Sequence, residues 1–154
     1  GSFVWPGFIG TAVIFVILAG WIGIPAMPAD RQNELTVEDS VWQPFSLELL
    51  ADLRNQKQAV FVDITADWCV TCQVNKQLVL ERKPVLQSFA KADVKLLRAD
   101  WTRPNDMIAD YLLKYDRFGI PFNSLYLPDM EEPVIFSEIL VAEKIINLLE
   151  KRLR

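Results

Sequence analysis

The sequence has no histidine, only two cysteines and no cluster of basic residues. Each absence removes a class of chemistry. Without an imidazole there is no histidine acid–base catalyst, and most protein metal sites lose their commonest ligand. Two cysteines cannot complete a four-ligand zinc site within one chain. A formal net charge of −4 over 154 residues, with no basic patch, argues against nucleic acid as a partner. No internal repeat or low-complexity tract is visible, and the length suits one domain with a real core. No metal and no cofactor are expected.

What the chain does have is Asp67-Trp68-Cys69-Val70-Thr71-Cys72, directly after the apolar run Val60-Phe61-Val62. The placement puts both thiols where a strand hands over to a helix. A helix start carries unpaired N–H groups and the positive end of the helix dipole, and both favour a thiolate. The spacing lets the two sulfurs close into a disulfide and reopen. Gln73 follows Cys72, so this is not a haem-attachment motif. A purely stabilising bridge is the competing reading. A loop this small would constrain the unfolded chain little, and C-x-x-C beside a strand–helix pattern reads as redox-active.

Residues 3–29 carry no charge. As a helix, 3–24 would span about 33 Å, enough to cross a bilayer core of about 30 Å. Trp5 and Trp21 sit near its ends, and Pro25 and Pro28 stop it. A signal peptide lacks its basic start and cleavage site here, and a buried core helix would be unusually long. A transmembrane helix over 3–29 is expected. Gly1-Ser2 looks like an expression scar, a hint of truncation, and is set aside. Residues 30–40 are polar with mixed charge and read as a linker. Residues 41–154 read as one globular domain.

Within that domain Ser46 can cap a helix with leucines on one face. Residues 59–65 form a β-branched and aromatic run fit for a buried strand. The cysteine pair opens a helix through about Leu80, with Val74, Leu78 and Val79 available for packing, and 84–90 suits further helical turns. Residues 94–99 read as a strand. Asn105 or Asp106 can cap a helix through Tyr115. Strands follow over 122–127 and 133–137, with a turn between them. An amphipathic helix over 141–153 turns Ile145, Ile146, Leu148 and Leu149 inward. The alternation implies a central mixed sheet covered by helices on both faces, an α/β fold.

A strand, then Trp-Cys-x-x-Cys opening a helix, then Ile120-Pro121 before a strand, resembles a thioredoxin-like fold. The longer string from Val62 to Cys72, with its Ala66-Asp67-Trp68-Cys69-Val70-x-Cys72 core, is similar to the C-terminal domain of DsbD-type thiol:disulfide interchange proteins. Gly119-Ile120-Pro121-Phe122-Asn123 is similar to the ScsB branch of that family. These are bacterial inner-membrane reductases whose periplasmic C-terminal domain follows a membrane domain. The apolar segment sits where the family's last span would be.

The resemblance implies residue roles. Cys69 attacks a partner disulfide and Cys72 resolves the mixed disulfide. Asp63, six residues before Cys69, is the buried acid that relays a proton for the resolving thiol, with its pKa raised by burial. Asp67 is either a second acid that disfavours the thiolate or a solvated loop residue. The family's glutamate seven residues after the first cysteine is Lys76 here, which either favours the thiolate or points to solvent. Pro121 is expected to be cis, leaving the backbone beside it free for a partner's extended peptide. Ile120, Phe122 and Trp68 are expected on the partner-facing apolar rim.

The resemblance thus implies a protein-disulfide reductase. It would take electrons from a membrane-domain dithiol and pass them to periplasmic disulfide partners. The full-length protein's transmembrane and N-terminal domains would be partners, and the location would be the inner membrane with the catalytic domain in the periplasm. A stand-alone anchored reductase of the cytochrome c maturation type and a redox-gated binding module remain alternatives. An oxidase or isomerase is a further one, although such oxidants often carry histidine where this motif has Val70-Thr71.

Overall fold

The computed structural model describes residues 41–152. The expected transmembrane segment over 3–29, the linker over 30–40 and the Gly1-Ser2 remnant lie outside the described residues. Among the described residues no helix is long and apolar enough to cross a membrane.

The elements run β1 (Trp42–Pro44), α1 (Leu47–Asn55), β2 (Val60–Thr65), α2 (Val70–Asn75), a π-helical segment (Lys76–Leu80), α3 (Lys83–Lys91), β3 (Lys95–Asp100), α4 (Asp106–Leu113), β4 (Phe122–Tyr126), β5 (Val134–Ile135) and α5 (Ala142–Arg152). The sheet order is β1-β3-β2-β4-β5. Strands β1, β3 and β2 are parallel, while β4 runs antiparallel to β2 and β5 antiparallel to β4. This is the mixed sheet expected from the sequence.

Strand β2 is central, and all six of its residues are buried. That explains why it reads as a continuous run rather than an alternating one. Alternation still sorts its side chains between two cores. Phe61, with Leu96 and Leu125, faces Val79, Leu80, Val85, Phe89, Ile145 and Leu149. Val60, Val62 and Ile64 face the other way, onto Leu50 and Leu53 of α1 and Ile108, Tyr111 and Leu112 of α4.

Local signals hold at the helix starts. Ser46 accepts from the Leu49 N–H at 3.0 Å, and Asn105 rather than Asp106 caps α4. Strand β1 was not expected. It has three residues and ends in Pro44, which an edge position tolerates because one side of the strand needs no ladder partner. The helix expected through Leu80 changes to π geometry at Lys76. Val79 is buried as expected, whereas Leu78 in the π-helical segment and Val74 in the α-helical turn before it are exposed. In the last helix Ile145 and Leu149 are core, with Ile146 and Leu148 packed against it.

Candidate active site at the Cys69–Cys72 disulfide

Strand β2 ends at Thr65, and a tight turn follows in which the Cys69 N–H donates to the Ala66 carbonyl at 3.1 Å. Cys69 then caps α2: its Sγ accepts from the Cys72 N–H at 3.2 Å. The two cysteines are joined in a disulfide, with Cα atoms 5.2 Å apart. Cys69 is 6% exposed and Cys72 1%. A sulfur at a helix start, facing donated N–H groups, is placed to carry negative charge when the bond opens.

The Ile120–Pro121 bond is cis. Ile120 packs against Ala66, Cys69 and Cys72, so the loop before β4 meets the disulfide. Trp68 is 62% exposed. Its indole Nε1 donates to the Thr102 carbonyl at 3.2 Å, and the Asp67 N–H donates to Thr102 Oγ1 at 2.9 Å. Thr102 is itself fixed by Asp100 Oδ1, which accepts from both its hydroxyl and its N–H. These two bonds hold the Asp100 carboxyl below its ordinary range. The turn carrying Cys69 is thereby tied to the loop after β3. Trp68, Trp101, Pro104 and Phe118 line an open groove of about 480 Å³ against the Trp68 turn.

Phe122 does not belong to the rim expected of it. It is 3% exposed, and its ring lies against Tyr115 and Tyr111 at centroid distances of 5.5 and 5.9 Å. Strand alternation explains this: β4 begins at Phe122, which points onto the α1/α4 side of the sheet. Asp67 is exposed and contributes its backbone N–H rather than a buried acid.

Asp63 is buried on the opposite side of β2 from Ile64, the side covered by α2, the π-helical segment, α3 and α5. Arg98 Nε donates to its Oδ2 at 2.9 Å. Burial nevertheless pushes the Asp63 carboxyl up from its usual range, against the opposing pull of Arg98 and, less strongly, Lys76. Glu81, 3.9 Å from Arg98 Nη1, adds to the rise. Lys76 is half-buried, and its charge reaches both Asp63 and Asp100.

Three residues of this neighbourhood were not anticipated. Arg98, Thr102 and Asn123 all lie in or just after segments read as strands. For Arg98 and Asn123 the available signal is a charged or amide side chain inside an apolar strand, because such a group is costly without a partner; Thr102 carries no such signal.

Comparison with known proteins agrees with this geometry. A thioredoxin-like family model matches residues 41–128, more than half of the chain. The thiol:disulfide interchange protein DsbD 1 of Pseudomonas aeruginosa is 33% identical over 111 residues, covering 71% of this chain and 17% of the relative. The DsbD of Pseudomonas fluorescens is 36% identical over 104 residues, or 65% of this chain and 18% of its own length. The chain therefore spans less than a fifth of these relatives. Among solved structures, the reduced C-terminal domain of Neisseria meningitidis DsbD superposes with a TM-score of 0.54 at 22% identity, covering 71% of this chain and 99% of that domain. Its oxidised form gives 0.51 at 23% identity, covering 82% and 99%. At that identity the structures speak to the fold, and the fold agrees with the family match over residues 41–128. The chain belongs to the thioredoxin-like family, and within it matches the C-terminal domain of DsbD-type proteins.

Proposed function

We propose that this domain is a protein-disulfide reductase that works through Cys69 and Cys72. The observation that carries the reading is the disulfide itself, closed at the start of α2 with Ile120 of the cis-proline loop packed against it. The interchange chemistry in the names of its relatives supports it.

In the working direction an upstream dithiol reduces the pair. The Cys69 thiolate attacks one sulfur of a partner disulfide, and the partner's other sulfur leaves as a thiolate. Cys72 then loses its proton to Asp63 and attacks Cys69 Sγ. The Cys69–Cys72 bond forms, the bond to the partner breaks, and the electron pair departs on the partner sulfur that had been joined to Cys69; both partner thiolates take protons from solvent. Trp68, Ile120 and Pro121 receive the partner's extended segment, and the exposed Asp67 biases the local field against accumulated thiolate. The electron source is a membrane-domain dithiol and the acceptors are periplasmic disulfides, including that of the protein's own N-terminal domain. The domain would stand on the periplasmic side of the inner membrane. These assignments rest on the family resemblance.

The equilibrium potential against glutathione tests the direction. A reductant should lie near the value of about −270 mV seen for thioredoxin, and a value near the roughly −120 mV of DsbA would make the protein an oxidant instead.

A further inference from the structure

One rung of the sheet is unlike the rest. Arg98 on β3 and Asn123 on β4 are the register partners of Asp63 on either side, so three polar side chains cross the middle of the sheet in a row. Directly paired residues on neighbouring strands share a face, with Cβ atoms about 5 Å apart. Among the described residues, the buried side-chain polar atoms without a hydrogen-bond partner are Trp42 Nε1, Thr65 Oγ1, Arg98 Nη2 and both amide atoms of Asn123. All of them gather on this one face. Thr65 follows Asp63 by two residues, and the Trp42 ring lies 4.1 Å from the Arg98 guanidinium carbon.

Buried polar atoms are nearly always paired, and an amide with neither end satisfied in a well-packed core calls for a reason. Asn123 is 1% exposed, and Thr65, on the same face of the sheet, is buried as well. Thr65 lies between Asp63 and the disulfide, since β2 runs from Asp63 through Thr65 to the Ala66 that packs on Cys69 and Cys72, and Asn123 stands directly across the ladder from Asp63. An apolar side chain would fill the Asn123 position without desolvating an amide. The amide supplies what an apolar side chain cannot, a donor and an acceptor facing a buried acid across one strand.

We infer that Asn123 is a positioning residue for the resolving step: with the Thr65 hydroxyl it holds the hydrogen-bonded, water-bridged link along which the Cys72 proton reaches Asp63. This rests on the reading of Asp63 as the proton acceptor. The step balances as before: Cys72 S–H breaks, the proton passes to the Asp63 carboxylate, and the freed electron pair forms the bond to Cys69 Sγ. The charged groups facing Asp63 are Arg98 from β3, Lys76 from the π-helical segment and Glu81 just after it, and none of them contributes the neutral donor–acceptor pair that Asn123 does.

The test is the rate at which a mixed disulfide between Cys69 and an oxidised model peptide is resolved, followed against pH by acid quench and mass spectrometry. Asn123→Leu should slow resolution roughly ten-fold, a fraction of a full general-base effect, and displace the pH midpoint of that step upward. Asn123→Ser, which puts a smaller donor–acceptor hydroxyl in place of the amide, should recover part of the rate. Alkylation of Cys69 by iodoacetamide should match the parent in both variants. Asp63→Asn should be slow as well, and adding Asn123→Leu to it should cost nothing further. If Asp63→Asn is slow while both Asn123 variants keep the parental rate and profile, the inference about Asn123 is overturned. If Asp63→Asn itself resolves at the parental rate, the assignment of Asp63 fails first and the link falls with it.

Discussion

Arg98 Nε donates to Asp63 Oδ2 at 2.9 Å across the centre of the sheet, yet the carboxyl keeps its proton more tightly than a free aspartate does. Desolvation outweighs the guanidinium. A buried ion pair is weak evidence for stability, because taking both charges out of water offsets most of their attraction.

The pH dependence of stability follows from that sign. The folded-state pKa of Asp63 lies above the ordinary 3.8, so its stabilising contribution is complete below that value and is lost as pH rises through the folded pKa. Asp63→Asn keeps the shape without the titration. The variant should gain on the parent in urea unfolding as pH increases from about 4 to neutrality. A difference between the two that is flat with pH would refute this.

The two cysteines should separate cleanly. Cys72→Ser should accumulate a partner joined to Cys69, visible on a non-reducing gel, and Cys69→Ser should abolish turnover while capturing nothing. Trapping with neither variant would favour a redox-gated binding module.

Asn75 is buried at the junction of α2 and the π-helical segment. Its Nδ2 donates to the Glu138 carbonyl at 2.7 Å and its Oδ1 accepts from the Leu140 N–H at 3.0 Å. Asn75→Ala strands both backbone groups, so the unfolding free energy should fall by about 2–3 kcal/mol, read from the denaturant midpoint at unchanged m. A loss within error would mean that the segment before α5 finds other partners.

Thr102 links the Trp68 turn to Asp100. Thr102→Val removes the acceptor for the Asp67 N–H and the hydroxyl donor to Asp100. Partner KM should rise several-fold with little change in Cys69 alkylation, and Trp68→Ala should do the same. Equal losses in alkylation and in turnover would assign Thr102 to the chemistry rather than to docking.

Much of this was legible in the residues. Ser46, Asn105 and the C-x-x-C string mark helix starts by local rules that tertiary context did not override. Strand β2 announced itself by composition. Other features are set by packing that a single sequence does not display. Trp42–Pro44 pairs only because β3 is there to receive it. Phe122 reads as a rim residue beside Pro121, but the parity of β4 sends it into the Tyr111–Tyr115 cluster. Arg98 and Asn123 matter through cross-strand register, which no local window contains. Leu78 looks like a core residue at helical spacing and is turned outward where the winding widens.

The outer strands of the sheet have a consequence for life in a crowded compartment. One edge has three residues and finishes in a proline, and the other has two. Neither offers a row of free backbone groups long enough to template a foreign strand, so copies of the domain have little means to stack edge to edge into fibrils. Trp68, Val70 and Phe118 are bare to water on a domain whose strand edges give a second copy little to pair with.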